Sequence, residues 1–264
     1  MIAENQQLTI EDIGAGLFLI FYGLIGIIVY LIVCLAMCQM CAEIVGFRFL
    51  ISQAITDMLL MIQFGIWPGI VILSKDEYLP ENYRWHLHIY LDFMWWAMVY
   101  HYPMVAWSRL AAIEWPNWFR CLSHATCTAI CCIPWCIALM QSVIEHQFDW
   151  FKPLYYDSDL YGLTTDWQEY NASGTGRLYS FCNVLSMILP FPFYTIAFCS
   201  IIRRNKRHSK SSVTSEKLSV TKNKYRRKDS LSAINVLIQK QLTIETRLII
   251  PCLINTIFFV FGQV

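Results

Sequence analysis

Arg109, Asp57 and Asp92 are ionisable residues inside apolar stretches of this sequence, and each needs a chemical partner. Arg109 lies near the end of an apolar, aromatic run that begins near His88 and passes through Trp95, Trp96 and Tyr100. An arginine on a membrane-length helix is costly in hydrocarbon, so its guanidinium must reach water or a counter-group. Ile113 follows four residues later and Pro116 seven later, where the ring stops the helix. Asp57 sits within a second apolar run and Asp92 near the start of the third. A carboxylate at such a depth is paired, protonated or hydrated, and marks function by default. Catalytic chemistry is not indicated. His86, His88, His101, His124, His146 and His208 are dispersed, and no Gly-rich phosphate loop appears. Cys38-x-x-Cys41 lacks the second pair that zinc requires. Its thiols are inert or reversibly palmitoylated. No cofactor or metal is expected, and the chain does not read as an enzyme.

The elements that position these residues follow from composition. Of 264 residues 56% are hydrophobic and 15% charged, against about 45–50% and about 25% in a soluble domain. The apolar residues fall in blocks of membrane length, about 20 residues as helix, and helix is required because no backbone group can stay unpaired in lipid. The blocks predict spans over Ile13 to Met37, Phe49 to Leu73, His88 to Ala112, Cys121 to Ile144, Leu178 to Ile202 and Ile244 to Val264. They form a single all-α integral membrane bundle. Gly14, Gly16, Gly23 and Gly26 on the first span either admit a close neighbouring helix or reflect the commonness of glycine in spanning helices. Most of the eleven cysteines lie within the apolar runs and are expected to pack as small polarisable side chains. Glu4, Glu11 and Asp12 stand where a signal peptide would be basic, so no cleavable leader is expected.

Charge sets the orientation. The hydrophilic stretch from Arg203 to Lys240 is dense in lysine and arginine, and Arg48, Arg109 and Arg120 fall on the same side. The opposite side is acidic, with Glu11, Asp12, Asp76, Glu81, Glu145, Asp159 and Glu169. Positive residues stay inside, so the amino terminus is expected outside and the 203–240 loop in the cytoplasm of a plasma-membrane protein. Asn171-Ala172-Ser173 is then an outward N-glycosylation sequon. Ser212 and Ser230 in the basic loop are phosphorylation candidates, and each phosphate would weaken attraction to anionic lipid. Topology accounts for the basic charge, so nucleic acid is not an expected partner and the lipid bilayer is.

The arrangement of Arg109, Ile113 and Pro116, with Asp57 in Ser52-Gln53-Ala54-Ile55-Thr56-Asp57-Met58-Leu59, resembles rhodopsin-like G-protein-coupled receptors. Within them the phrase Met104 to Pro116 is similar to nematode serpentine chemoreceptors, class x or a neighbouring class. The likeness covers roughly residues 13–264. It implies a seven-transmembrane receptor bundle of which six helices are present. The implied function is a chemosensory receptor transmitting an extracellular small-molecule or peptide ligand to a heterotrimeric G protein. Arg109, Ile113 and Pro116 would form the coupling switch, and Asp57 an intramembrane polar network. Ser108 and Leu110 replace the acid and tyrosine usual beside such an arginine, so Glu245 on the sixth span is the expected counter-charge. Trp135 and Pro190 or Pro192 fit helix positions of the family.

The chain also departs from the pattern. Arg84 and Trp85 stand where the usual disulfide begins, and no cysteine lies between Glu145 and Arg177. The sixth run ends at Val264 with no Asn-Pro-x-x-Tyr helix after it, so the chain reads as truncated before the seventh helix. Ligand-pocket candidates are His88, Asp92, Trp95 and Trp96, with Trp67 and Phe181; the alternative for this aromatic stripe is bundle packing and interfacial anchoring. Leu91, not Asp92, stands eighteen residues before Arg109 where amine receptors carry an acid, and Asp92 points about 100° away, so an amine is not indicated. Two other readings stay open: a non-signalling, degenerate receptor, and a multi-pass transporter or channel. The latter would want more than the acids Asp57 and Asp92 within spans.

Overall fold

The computed structural model describes residues 8–75, 83–157, 159–215, 243–244, 247–254 and 256–257. The helices in chain order are α1 (Ile10–Met40), α2 (Gly46–Met61), α3 (Trp67–Ser74), α4 (Arg84–Glu114), α5 (Pro116–Arg120), α6 (His124–Glu145), α7 (Trp167–Ser173), α8 (Thr175–Ile188) and α9 (Pro190–Ser215). A π turn over Ile62–Ile66 joins α2 to α3, so the two act as one span, Gly46–Ser74. A two-stranded hairpin, β1 (Tyr155–Asp157) and β2 (Gly162–Thr164), pairs Tyr155 with Thr164, Tyr156 with Leu163 and Asp157 with Gly162. The ends of the bundle are called the hairpin end and the basic end below.

Helix boundaries have local causes. Thr9 caps α1 through a reciprocal pair of bonds with Asp12, of 2.8 and 3.1 Å. Ser123 accepts from the Thr126 amide to start α6, and Asp166 accepts from the Gln168 and Glu169 amides to start α7. Lys75 closes α3 in the left-handed region at φ 53°. The span expected over 178–202 lies within one helical stretch, Thr175–Arg204; α8 passes into α9 at Pro190 through Leu189, whose backbone stays helical at φ −55° and ψ −38°. Pro103 and Pro134 stay within continuous helices.

Four helical stretches among the described residues are long and apolar enough to cross a membrane: Ile10–Met40, Gly46–Ser74, His124–Glu145 and Thr175–Arg204. α4 is as long as α1 at 31 residues, but its polar side chains and weakly hydropathic tyrosines and tryptophans lower its apolarity. It is the axis of the bundle, packed by α2, α6, α8 and α9. From Met104 to Ile113 only Trp107 is not buried, and such all-round burial is what a central helix shows. α1 is the reverse, with Phe18, Phe21, Ile25, Ile32 and Leu35 exposed along its length. Those side chains suit lipid contact.

α1 packs on α2 and α3 through glycines from both sides. A Cβ added at Gly69 would lie 2.6 Å from the Gly16 carbonyl oxygen, and one at Gly65 would lie 3.2 Å from Gly23 Cα. Gly16 and Gly23 therefore serve close approach, whereas Gly14 has nothing within 4 Å. At the hairpin end, no cystine joins the segments and charge does so instead. Lys75 Nζ lies 2.9 Å from Asp12 Oδ1, Tyr161 Oη donates to the same oxygen at 2.6 Å, and Lys75 is 3.5 Å from Asp159. The Asp12 carboxylate raises the Lys75 ammonium above its ordinary range and raises the Tyr161 phenol likewise. Asp12→Asn is expected to free the hairpin from α1 and α3. Hydrogen–deuterium exchange over residues 155–164 should speed up, with exchange in α6 unchanged; equal protection in both would refute the tie.

At the basic end Arg48 joins the helix 1–2 turn to the helix 5–6 turn. Its Nε donates to the Cys41 carbonyl at 3.2 Å and its Nη1 to the Leu122 carbonyl at 3.4 Å.

Candidate functional site

Arg109 sits on α4 at the basic end with no exposed surface. Its Nη2 donates to the carbonyl of Gly46, the first residue of α2, at 2.8 Å. A backbone oxygen thus stands among its partners. The expected counter-charge, Glu245, lies outside the described residues. Ser108 bonds back to the Val105 carbonyl at 2.7 Å. Glu114 accepts a hydrogen bond from Ser200 on α9, joining two helices at the same end. Ile113 is also wholly buried and packs with Leu110, Tyr194, Ala197 and Ile249. Pro116 occupies the first turn of α5, whose Phe119 stacks on Phe49 at 5.8 Å. In this conformation neither Arg109 nor Ile113 is presented at the surface.

Asp57 accepts from Tyr30 Oη of α1 at 3.0 Å. It lines a cleft of about 310 Å³ with Tyr22, Leu60, Met61 and Trp95. One turn nearer the basic end runs a directional chain. Trp135 Nε1 donates to Ser52 Oγ at 3.3 Å, and Ser52 Oγ lies 2.9 Å from His101 Nε2. His101 Nδ1 lies 2.6 Å from the Ala97 carbonyl, which can only accept, so Nδ1 carries the hydrogen and Nε2 receives the serine proton. The chain ties α2, α4 and α6 with every member satisfied.

At the hairpin end a cavity of about 800 Å³ opens between the π turn, α4, the hairpin, α7 and α8. Phe64, Leu91, Trp95, Leu163, Trp167 and Tyr170 give it apolar and aromatic walls, while Gln63, Asp92, Asn171, Arg177, Ser180 and Asn183 give it polar ones. Such a concave mix of aromatic walls and placed polar groups suits a small-molecule site. Trp95 is fixed by its Nε1 bond to Asn183 at 3.3 Å. Gln63 Nε2 donates to the Leu91 carbonyl at 3.1 Å, and its Oε1 is buried without a hydrogen bond. Tyr179 Oη donates to Asp92 Oδ1, and His146 Nε2 lies 3.5 Å from Asp92 Oδ2. Burial holds the His146 imidazole below its ordinary range.

The candidate ligand residues therefore divide. Asp92 and Trp95 are on the cavity wall. Trp96 is wholly buried behind it, its ring centroid 5.0 Å from that of Tyr179. His88 and Trp67 line a separate hollow of about 170 Å³ with Arg84 and Tyr156, and Phe181 faces outward, 66% exposed. Asn171 is exposed on α7 at the cavity rim. Ser212 falls within α9, and Ser230 lies outside the described residues. Gln63, Tyr179 and His146 were not legible as site residues. A glutamine inside an apolar run was the available signal, and the π turn is what turns it to the cavity.

No curated protein matches the chain. The family model for the serpentine type 7TM GPCR chemoreceptor Srx matches residues 20–260, nearly the whole sequence. Together with the helical, multi-pass bundle, that match places this chain in the Srx family of serpentine seven-transmembrane chemoreceptors.

Proposed function

We propose that this chain is a chemosensory receptor of the plasma membrane. In this reading it takes a small extracellular ligand into the cavity at the hairpin end and signals to a heterotrimeric G protein at the basic end. The observation that carries the reading is the placement of both features on one continuous helix. Asp92 and Trp95 wall the cavity near one end of α4, and Arg109 lies near the other. A ligand that shifts α4 against α2 reaches both sites, which is what coupling across a membrane requires. Charge supports the orientation, with Arg48, Arg109 and Arg120 at the basic end and Asp159 and Glu169 at the other, where the sequon residue Asn171 is exposed.

Two measurements test this. Enzymatic deglycosylation of the chain from expressing cells should shift its mobility, and Asn171→Gln should remove the shift. A chain never glycosylated, with a cytoplasmic amino-terminal tag, would overturn the orientation. For signalling, cells carrying the receptor, a promiscuous G protein and a calcium reporter are screened against a panel of small water-soluble and volatile compounds. Trp95→Ala should raise the half-maximal concentration of any active compound at least about tenfold, ~1.4 kcal/mol, at unchanged surface level. An unchanged dose–response in that variant would place the ligand elsewhere.

A further inference from the structure

The wall of the cavity conceals a pair of buried atoms that repel one another unless something sits between them. Asp92 Oδ2 and His146 Nε2 are 3.5 Å apart, with side chains 8% and 3% exposed, and neither atom has a hydrogen bond. The histidine tautomer is fixed by its other nitrogen. Nδ1 lies 2.8 Å from the Ser142 carbonyl, an acceptor only, so Nδ1 carries a hydrogen. Neutral His146 therefore presents a lone pair to Asp92, and an ionised Asp92 presents another. Two buried acceptors facing each other are strongly unfavourable.

We propose that Asp92 and His146 together form a binding site for one proton, held between Asp92 Oδ2 and His146 Nε2 in the wall of the ligand cavity. With that proton the pair is electrically neutral in both its forms, carboxylic acid with imidazole or carboxylate with imidazolium. Without it a net negative charge is buried. Neighbouring groups reinforce the argument. Glu145, from α6, brings a second carboxyl whose Oε2 is buried without a hydrogen bond. Tyr179 of α8 bonds Asp92 Oδ1, Tyr170 of α7 lies near it, and His88 on α4 lies near His146 with Arg84 beyond. Burial lowers the basicity of His146 and so disfavours the imidazolium form of the pair. A metal ion does not take its place, because among the described residues no three His, Cys, Asp or Glu are gathered to hold one.

Because Asp92 and Tyr179 both line the cavity, release of the proton places a negative charge in its wall. Cationic ligands then gain and anionic ones lose as the outside pH rises. The site itself is tested without any ligand or signalling, so it stands or falls apart from the receptor reading. The full chain is purified into phosphatidylcholine nanodiscs and examined by infrared difference spectroscopy and by ¹⁵N NMR of labelled histidine. The expected result at neutral pH is a carboxylic-acid carbonyl band that is lost in Asp92→Asn, with the His146 resonance assigned by His146→Gln. An imidazolium resonance of His146 without that band also supports the site, with the proton on the other atom. If Asp92→Asn does not fold, the wild type alone decides: one alkaline step must change the band and the His146 Nε2 resonance together. Neutral imidazole with no Asp92 carboxylic-acid band at neutral pH, or two unlinked transitions, would overturn the proposal.

Discussion

Gly69→Val is expected to keep most of the chain from reaching the cell surface. A Cβ at Gly69 would stand 2.6 Å from the Gly16 carbonyl oxygen, 2.6 Å from Ile20 Cγ1 and 3.2 Å from the Ile20 amide nitrogen. Two of those three are backbone, which cannot swing aside, so α1 and α3 must move apart. Separation also loosens the next contact along the seam, where a Cβ at Gly65 would lie 3.2 Å from both Gly23 Cα and the Leu19 carbonyl. In lipid no hydrophobic effect holds helices together, so packing lost at a glycine seam is not recovered elsewhere. Overpacking costs about 1–3 kcal/mol or more, a large part of a net stability of about 5–15 kcal/mol. Gly16→Ala should be milder, since its nearest neighbours are the movable Leu73 side-chain tip, with the Gly69 oxygen at 3.0 Å. Gly14→Ala should be neutral, having nothing within 4 Å. Surface biotinylation and thermal melting of detergent-extracted protein measure the ranking. A Gly69→Val chain that melts with the wild type would refute the seam.

That seam shows how far the sequence could be read. Gly16 and Gly23 stood out because they recur on a membrane-length apolar run. Their partners Gly65 and Gly69 did not, because pairing across helices is not written in either helix alone. The membrane class was legible from the apolar blocks, since hydrocarbon leaves the backbone few choices. The hairpin was not: its strands are three residues each and tied by Asp12 and Lys75, far away in sequence. The span over 178–202 was legible in the same way as the membrane class, for Pro190 leaves the backbone helical at Leu189 as Pro103 and Pro134 leave theirs. The cavity was half legible. Asp92 and Trp95 could be named from α4, but what makes Asp92 unusual is His146 and Tyr179, brought in from two other elements. The basic end hid its contact differently. The described contact of Arg109 is to a main-chain oxygen, which no side-chain pattern reveals, while the expected counter-charge, Glu245, lies outside the described residues.

Arg109→Met is expected to give a receptor that folds, reaches the surface and does not signal. Removing the guanidinium has two opposed effects on stability. The Gly46 carbonyl loses a charge-assisted donor at 2.8 Å, worth about 1.5–3 kcal/mol. Against that, a wholly buried cation no longer has to be stripped of water, and methionine fills a similar volume. The net change is expected within about 1 kcal/mol either way, too small to empty the surface pool. Signalling should fall to the untransfected baseline, while the half-maximal concentration for ligand binding moves less than about threefold, since the cavity lies at the far end of α4. The separation of the two effects is the point. In the proposed reading, a G protein at this end would meet the buried Arg109 only after α2 and α4 part, and the Arg109–Gly46 bond would belong to the resting state. Arg109→Lys can keep a single donor to Gly46 but not the planar fork, so it should retain folding with weakened coupling. Flow cytometry of an amino-terminal tag, together with the calcium reporter, reads all of this in the same cells. A methionine variant that signals as the wild type does would remove Arg109 from the switch and return it to the structural role of anchoring the foot of α4 to the first turn of α2.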